Sequence, residues 1–155
     1  MAQDDESGCF TIGVFADASW ASRGLEALAR DGFEPGMLSI VARETPEAAS
    51  LVERTFGERA GGGELDLRGV GRVLAHGTLV GALQGEDQGL ARTGLAATLR
   101  RAGFQAHDGF IFETLTARGG VLVAIDSEPR AADALALLHA YGGGNAAIGA
   151  WSGRV

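Results

Sequence analysis

Short apolar runs alternate along the chain with segments whose apolar residues recur every three to four positions, the pattern of strands separated by helices. Residues 10–16 (Phe-Thr-Ile-Gly-Val-Phe-Ala) are apolar, with β-branched and aromatic members, and predict a first strand. Asp17 and Ser19 then offer capping side chains, and Ala21, Leu25, Leu28 and Ala29 fall on one helical face. Gly32 is placed to stop that helix and Pro35-Gly36 to turn the chain into a second strand over 37–42. The crossover joining these strands is expected to be right-handed, with the strands parallel. Thr45-Pro46 opens a second helix as N-cap and first helical residue, and Ala48, Leu51, Val52 and Phe56 form its apolar stripe.

The middle of the chain is harder to pattern. Residues 57–71, which include Gly61-Gly62-Gly63 and few apolar positions, read as a loop. Residues 73–85 are apolar but rich in small side chains, and helix and strand both fit them. A helix over 90–101 turns Leu90, Leu95 and Leu99 inward and sets Arg100 and Arg101 near its negative end. Asp108 is placed to cap a short helix bearing Phe112 and Leu115, which Gly119-Gly120 ends. Residues 121–125 (Val-Leu-Val-Ala-Ile) are the most strand-like run of all. A last helix follows Pro129, with Ala131, Leu135 and Leu138 on one face, and 146–151 form a weaker last strand.

Shifting the sequence by 110 residues aligns the two ends without a gap. Ile12 falls on Leu122, Val14 on Ala124 and Phe15 on Ile125; Ala21, Leu25, Leu28 and Gly32 meet identical residues at Ala131, Leu135, Leu138 and Gly142. Strand, helical face and helix stop stay in register. Two such βαβ units predict an α/β (α+β) fold, a ferredoxin-like sandwich with a four-stranded sheet and two helices on one face. A doubly wound sheet is the alternative, with too few strands to favour it. The expected organisation is a flexible acidic tail (1–9) and one domain (10–155). That domain divides into a βαβ unit (10–43), a helical, Gly-rich connection (44–118) and a second βαβ unit (119–153). The connection's helices are expected either to cover the open sheet face or to form a dimer contact.

Length and composition narrow the function. The 155 residues suit a single domain, and 46% hydrophobic with 21% charged residues is globular composition. All thirteen basic residues are Arg, so Lys-based Schiff chemistry and a Lys-bearing phosphate loop are excluded. A net charge of −7 argues against nucleic acid and against an anionic membrane surface. No apolar stretch reaches the roughly 20 residues needed to span a bilayer, and the acidic opening 1–7 lacks the apolar core of a secretory signal. The single Cys9 forms no internal disulfide, and a reduced, cytoplasmic setting is expected.

At this point the chain resembles a bacterial family, the general stress or heat-induced stress protein domain. The resemblance rests on Gly13-Val14-Phe15 in the first strand, Gly32-Phe33 after the first helix and the strand Leu38-Ser39-Ile40-Val41-Ala42-Arg43. It continues through the small-residue segment 73–85, Phe112-Glu113, and Arg118-Gly119-Gly120-Val121-Leu122-Val123, spanning roughly residues 10 to 151. The chain departs from the pattern in its short Gly/Ala segment, in a Phe where a Tyr is common, and in a final strand without charge. The resemblance implies association with stress and a binding or regulatory role; it implies no catalytic residue.

Local chemistry agrees. Cys9 and any of His76, His107 or His139 would be needed for a thiol–imidazole pair, but Cys9 borders the tail and no nucleophile signature surrounds it. The three histidines lack the i, i+4 spacing of a metal site, so no metal and no cofactor is expected, and His139 is expected to pack partly buried. The glycine tracts lack phosphate-loop and dinucleotide spacing. Glu113, among Phe110, Ile111, Phe112 and Leu115, is the one acid expected to hold its proton more tightly through desolvation; the plainer reading makes it an exposed residue or a partner of Arg118. Trp20 either marks a partner contact or staples its helix to the core.

The expectation is therefore a non-enzymatic, stress-associated protein acting by self-association or partner binding, without catalytic residues. The nearly uncharged last strand suits a two-fold homodimer seam. The alternative is a small-ligand sensor that receives an anion at helix starts near Ser19 and Pro129. A hydrolase or isomerase using Glu113 or Cys9 is the least supported reading. Ser19, Trp20, Glu113, Arg118 and Trp151 are the candidate ligand or partner surface.

Overall fold

The computed structural model describes residues 8–57, 64–84, 89–101, 104–126, 130–142 and 144–151. In chain order its elements are β1 (Gly8–Phe15), α1 (Ala18–Arg30), β2 (Leu38–Arg43), α2 (Pro46–Phe56), β3 (Glu64–Leu67) and β4 (Gly71–Gly77). There follow α3 (Thr78–Gln84), α4 (Gly89–Thr93), α5 (Leu95–Arg101), α6 (Ala106–Ala117), β5 (Val121–Asp126), α7 (Ala131–Ala140) and β6 (Gly144–Trp151). β1 takes in Gly8 and Cys9, which the sequence pattern assigns to the tail.

Among the described residues the strands form one six-stranded sheet in the order β3-β4-β2-β5-β1-β6, and every neighbouring pair is antiparallel. That pattern excludes a doubly wound parallel sheet. β1 and β2 both run against β5, so they are parallel to each other with β5 between them. β5 and β6 are likewise parallel with β1 between them. Each βαβ unit thus leaves a gap that the first strand of the other unit fills.

Alternation along the strands sorts the core into two layers. Phe15, Ile40, Val121, Val123 and Ile125 point to the face covered by α1, α2 and α7, where they meet Leu25, Leu28, Leu51 and Leu138. Ile12, Val14, Val41, Leu122 and Ala124 point to the opposite face, against Leu79, Leu90, Leu95, Leu99 and Phe112 of α3 to α6. β5 is buried on both faces, which is why its sequence reads as one unbroken apolar run. The connection's helices therefore cover the second sheet face, giving three layers rather than the two of a simple sandwich. The 110-residue shift keeps the faces: Ile12 and Leu122 share one core and Phe15 and Ile125 the other, and Gly32 and Gly142 both take positive φ.

Three local expectations change. The tract read as loop over 57–71 contains β3, whose alternation Glu64-Leu65-Asp66-Leu67 is short and half charged. The ambiguous stretch is strand and then helix, β4 into α3. Gly77 makes the corner at φ 121°, and the buried Ser39 hydroxyl accepts a 2.9 Å bond from the Leu79 N–H. The helix expected over 90–101 is broken at Gly94, where φ is 97° and the Thr98 hydroxyl donates to the Gly94 carbonyl at 2.6 Å.

Candidate functional site

The five candidate residues do not converge on one site. Ser19 and Trp20 lie in the first turn of α1, where Asp17 caps the helix by accepting from the Trp20 N–H at 3.0 Å. Trp20 is 43% exposed, with the Arg23 guanidinium 5.0 Å from its ring centre and ring carbons 3.6 to 3.8 Å from the position a Gly142 Cβ would occupy. Trp20 thus borders the end of α7, belongs to neither buried core cluster and keeps an aromatic surface open to solvent. Glu113 lies in the opposite helical layer. Its Oε2 sits 3.1 Å from the position a Gly69 Cβ would occupy and 3.6 Å from that of Gly94, between the β3–β4 turn and the α4–α5 break. No hydrogen bond or ion pair holds it among the described residues, and burial raises its pKa above the ordinary carboxylate value. Arg118 is the exposed C-cap residue of α6 and does not pair with Glu113. Trp151 ends β6, opposite Gly8. Pro129, the other anion-site candidate, lies outside the described residues, as does the Gly61-Gly62-Gly63 tract.

The carboxyl ends of β1 and β2 and the start of β5 meet at one rim of the sheet. A cavity of about 480 Å³ opens there, lined by Asp17, Ser19, Arg43, Thr45, Glu47 and Gly119. The starts of α1 and α2 both border it, the second capped by Thr45, whose hydroxyl accepts from the Ala48 N–H at 3.0 Å. Two helix starts and Arg43 bring positive charge to the rim, while Asp17, Glu44 and Glu47 set three carboxylates around the same cavity. Arg43 also donates to the Ala117 carbonyl at 3.3 Å, which ties the rim to α6. A second, more open hollow of about 560 Å³ continues between α1 and α2, where Arg54 donates to the Ser22 hydroxyl at 3.1 Å. Arg43 was legible only as the end of a strand. Its place at the rim follows from the two βα corners lying side by side, which no local pattern reveals.

Among the described residues the candidate groups for catalysis stay apart. His76 sits on β4 beside the Phe56 ring, 6.0 Å between centres, and burial lowers its pKa. His107 and His139 are exposed; the packing role expected of His139 fails because Ala134 and Leu138 form the buried stripe of α7. Among the described residues no histidine bonds to a nucleophile, and no group of three or more His, Cys, Asp or Glu could hold a metal ion. Among those residues, too, no helix is long and apolar enough to cross a membrane.

The two sheet edges differ. β3 is four residues long and carries Glu64 and Asp66, and Arg72 beside it bridges Glu64 at 2.7 Å and Glu44 at 3.0 Å. Short, charged strands are how sheet edges are kept from pairing. β6 is eight residues long, Gly-Asn-Ala-Ala-Ile-Gly-Ala-Trp, with no charged residue and no proline. One of its sides pairs with β1; the other forms the edge of the sheet. Comparison of the chain with protein-family models, curated proteins and solved structures finds no match.

Proposed function

We propose that this protein is a non-enzymatic, stress-associated binding protein that works as a two-fold homodimer joined through β6. The unequal sheet edges carry the reading: β3 has charge and shortness to discourage pairing, whereas β6 is long and uncharged. An edge strand's free N–H and C=O groups recognise another strand through its backbone, and a second copy supplies the same strand by symmetry. We further assign the four strands β2-β5-β1-β6, with α1 and α7, to a ferredoxin-like core to which the β3–β4 hairpin and α3 to α6 are added; the strand order and the split βαβ units support this. Stress association rests on the resemblance carried by Gly13-Val14-Phe15, Gly32-Phe33 and residues 118–123. The single cysteine supports a reducing, cytoplasmic setting. Light scattering tests the assembly: twice the 15.9 kDa chain mass is expected, and a monomer at high protein concentration refutes it.

The second reading is a small-ligand sensor, favoured by the rim cavity where Arg43 and the starts of α1 and α2 meet. Native mass spectrometry separates the two. A dimer of bare chain mass supports assembly, and a chain carrying a small anionic adduct supports the sensor.

A further inference from the structure

Resting on the β6 self-association just proposed, we infer that the two copies pair through the five residues Ala147–Trp151 only, with Gly149 of one chain opposite Gly149 of the other.

Symmetry limits the choices. In an antiparallel pair, directly opposed residues share one hydrogen-bonding character, and that character alternates along each strand. Setting a residue opposite its own sequence neighbour in the copy would give one residue both characters. A two-fold axis between identical antiparallel strands therefore passes through a pair of the same residue. The centre of the seam must be a single position.

The β1–β6 ladder then selects the position. Pairing is regular from Gly8↔Trp151 to Ile12↔Ala147. Val14 then pairs with Gly144, so Asn145 and Ala146 of β6 stand against Gly13 alone. This is a bulge on β6, which bends the strand and disturbs the spacing of its outward groups. The bulged half is thus protected against pairing in its own way, and the regular half is left as the pairing segment. Its midpoint is Gly149. The copies then oppose Ala147 to Trp151 and Ile148 to Ala150, and the strand's lack of charge means that no like charges meet across the seam. Two six-stranded sheets become one continuous sheet closed by its symmetry, with β3 at both outer ends.

Disulfide trapping reads the register. In a Cys9→Ser background, single cysteines are placed at 147, 148, 149 and 150, oxidised, and run on non-reducing gels. Opposed residues lie about 4.5–5.5 Å apart between Cα atoms, within disulfide reach. In the inferred register the two copies of residue 148 lie about 8 Å apart and those of 147 about 14 Å, both beyond reach. The expected result is a cross-linked yield greatest for Gly149→Cys and falling to either side. A dimeric mass with the greatest yield at 147 or 148 overturns the register and leaves the self-association reading intact; a monomeric mass overturns both. Should Gly149→Cys fail to fold, amide exchange on the unaltered chain decides instead. Concentration-dependent protection confined to 147–151 supports the register, and protection reaching 144–146 overturns it. Protection of this edge in a chain of monomeric mass places another segment of the same chain there and overturns both readings.

Discussion

Gly77→Ala should cost much more stability than its position at the end of a strand suggests. Gly77 lies opposite Ser39 in the β2–β4 ladder and holds φ at 121°, a region where an L side chain is strained by about 1–2 kcal/mol. An added Cβ would also overlap the Leu38 carbonyl oxygen, Ser39 Cα and Ser39 Oγ. Two of these are backbone atoms, which cannot swing aside as a flexible side chain would. Relief requires β4 to move from β2, and that movement removes the buried bond from the Leu79 N–H to Ser39 Oγ, worth about 1–3 kcal/mol. Together these give a loss of about 2–5 kcal/mol, which in a chain of this size lowers Tm by roughly 4–20 °C. Gly71→Ala is the control, because Gly71 has φ 106° but nothing within 4 Å of its Cβ position. It should cost only the backbone strain, about 1–2 kcal/mol. Urea titrations of both variants followed by circular dichroism measure the difference. Equal losses at the two glycines would refute the steric account of the corner and its role in seating α3 on the sheet.

Three other perturbations test separate parts of the structure. Phe112 is fully buried where α6 meets the sheet, so Phe112→Ala should cost about 3–5 kcal/mol in the same titration, and a loss below about 1 kcal/mol would show that the α3–α6 layer is not integral to the core. Glu113, with its pKa raised by desolvation, contributes stability that is fully present below its ordinary value of 4.5 and lost as pH rises through its folded value. His76 has a lowered pKa, so its contribution is lost as pH falls below 6.5. Glu113→Gln should therefore stabilise at neutral pH and not at pH 4, and His76→Gln should flatten the decline below pH 6.5; unchanged profiles would contradict the burial of both. Arg130 donates to the Asp31 carbonyl at 2.7 Å, pairs with the Asp31 and Asp133 carboxylates and lies 4.4 Å over the Phe33 ring, linking the end of α1 to the start of α7. Arg130→Ala should lower Tm. Arg130→Lys should fail to restore it, since a single ammonium cannot stack on the ring and fork to all three acceptors.

Much of the framework was legible because it is local. Asp17, Thr45 and Pro46 mark helix starts through their own side chains, and the matching positions of Ile12 with Leu122 and Phe15 with Ile125 reveal two copies of one βαβ pattern. β3 was not legible, since Glu64-Leu65-Asp66-Leu67 becomes a strand only by pairing with β4. The turn at Gly77 was equally hidden, because small apolar residues suit helix and strand alike and the Ser39 cap comes from 40 residues away. Gly94 lies within a good helical pattern, yet it takes positive φ and its carbonyl accepts from the Thr98 hydroxyl, a break that periodicity does not mark. At the candidate sites, the desolvation of Glu113 followed from its apolar neighbours in sequence, but its contact with Gly69 and Gly94 did not. The rim around Arg43 depends on which strands sit side by side, and periodicity does not encode that.

The most direct test of the account is the solution mass of the unaltered chain beside that of Gly149→Glu, both by light scattering across a concentration series. The substitution would set two carboxylates against each other at the centre of the seam, imitating the charge already present on β3. A dimer near twice 15.9 kDa is expected for the unaltered chain and a folded monomer for the variant, with matching circular dichroism spectra. A dimer that persists in the variant, or an unaltered chain that remains monomeric, would contradict the seam.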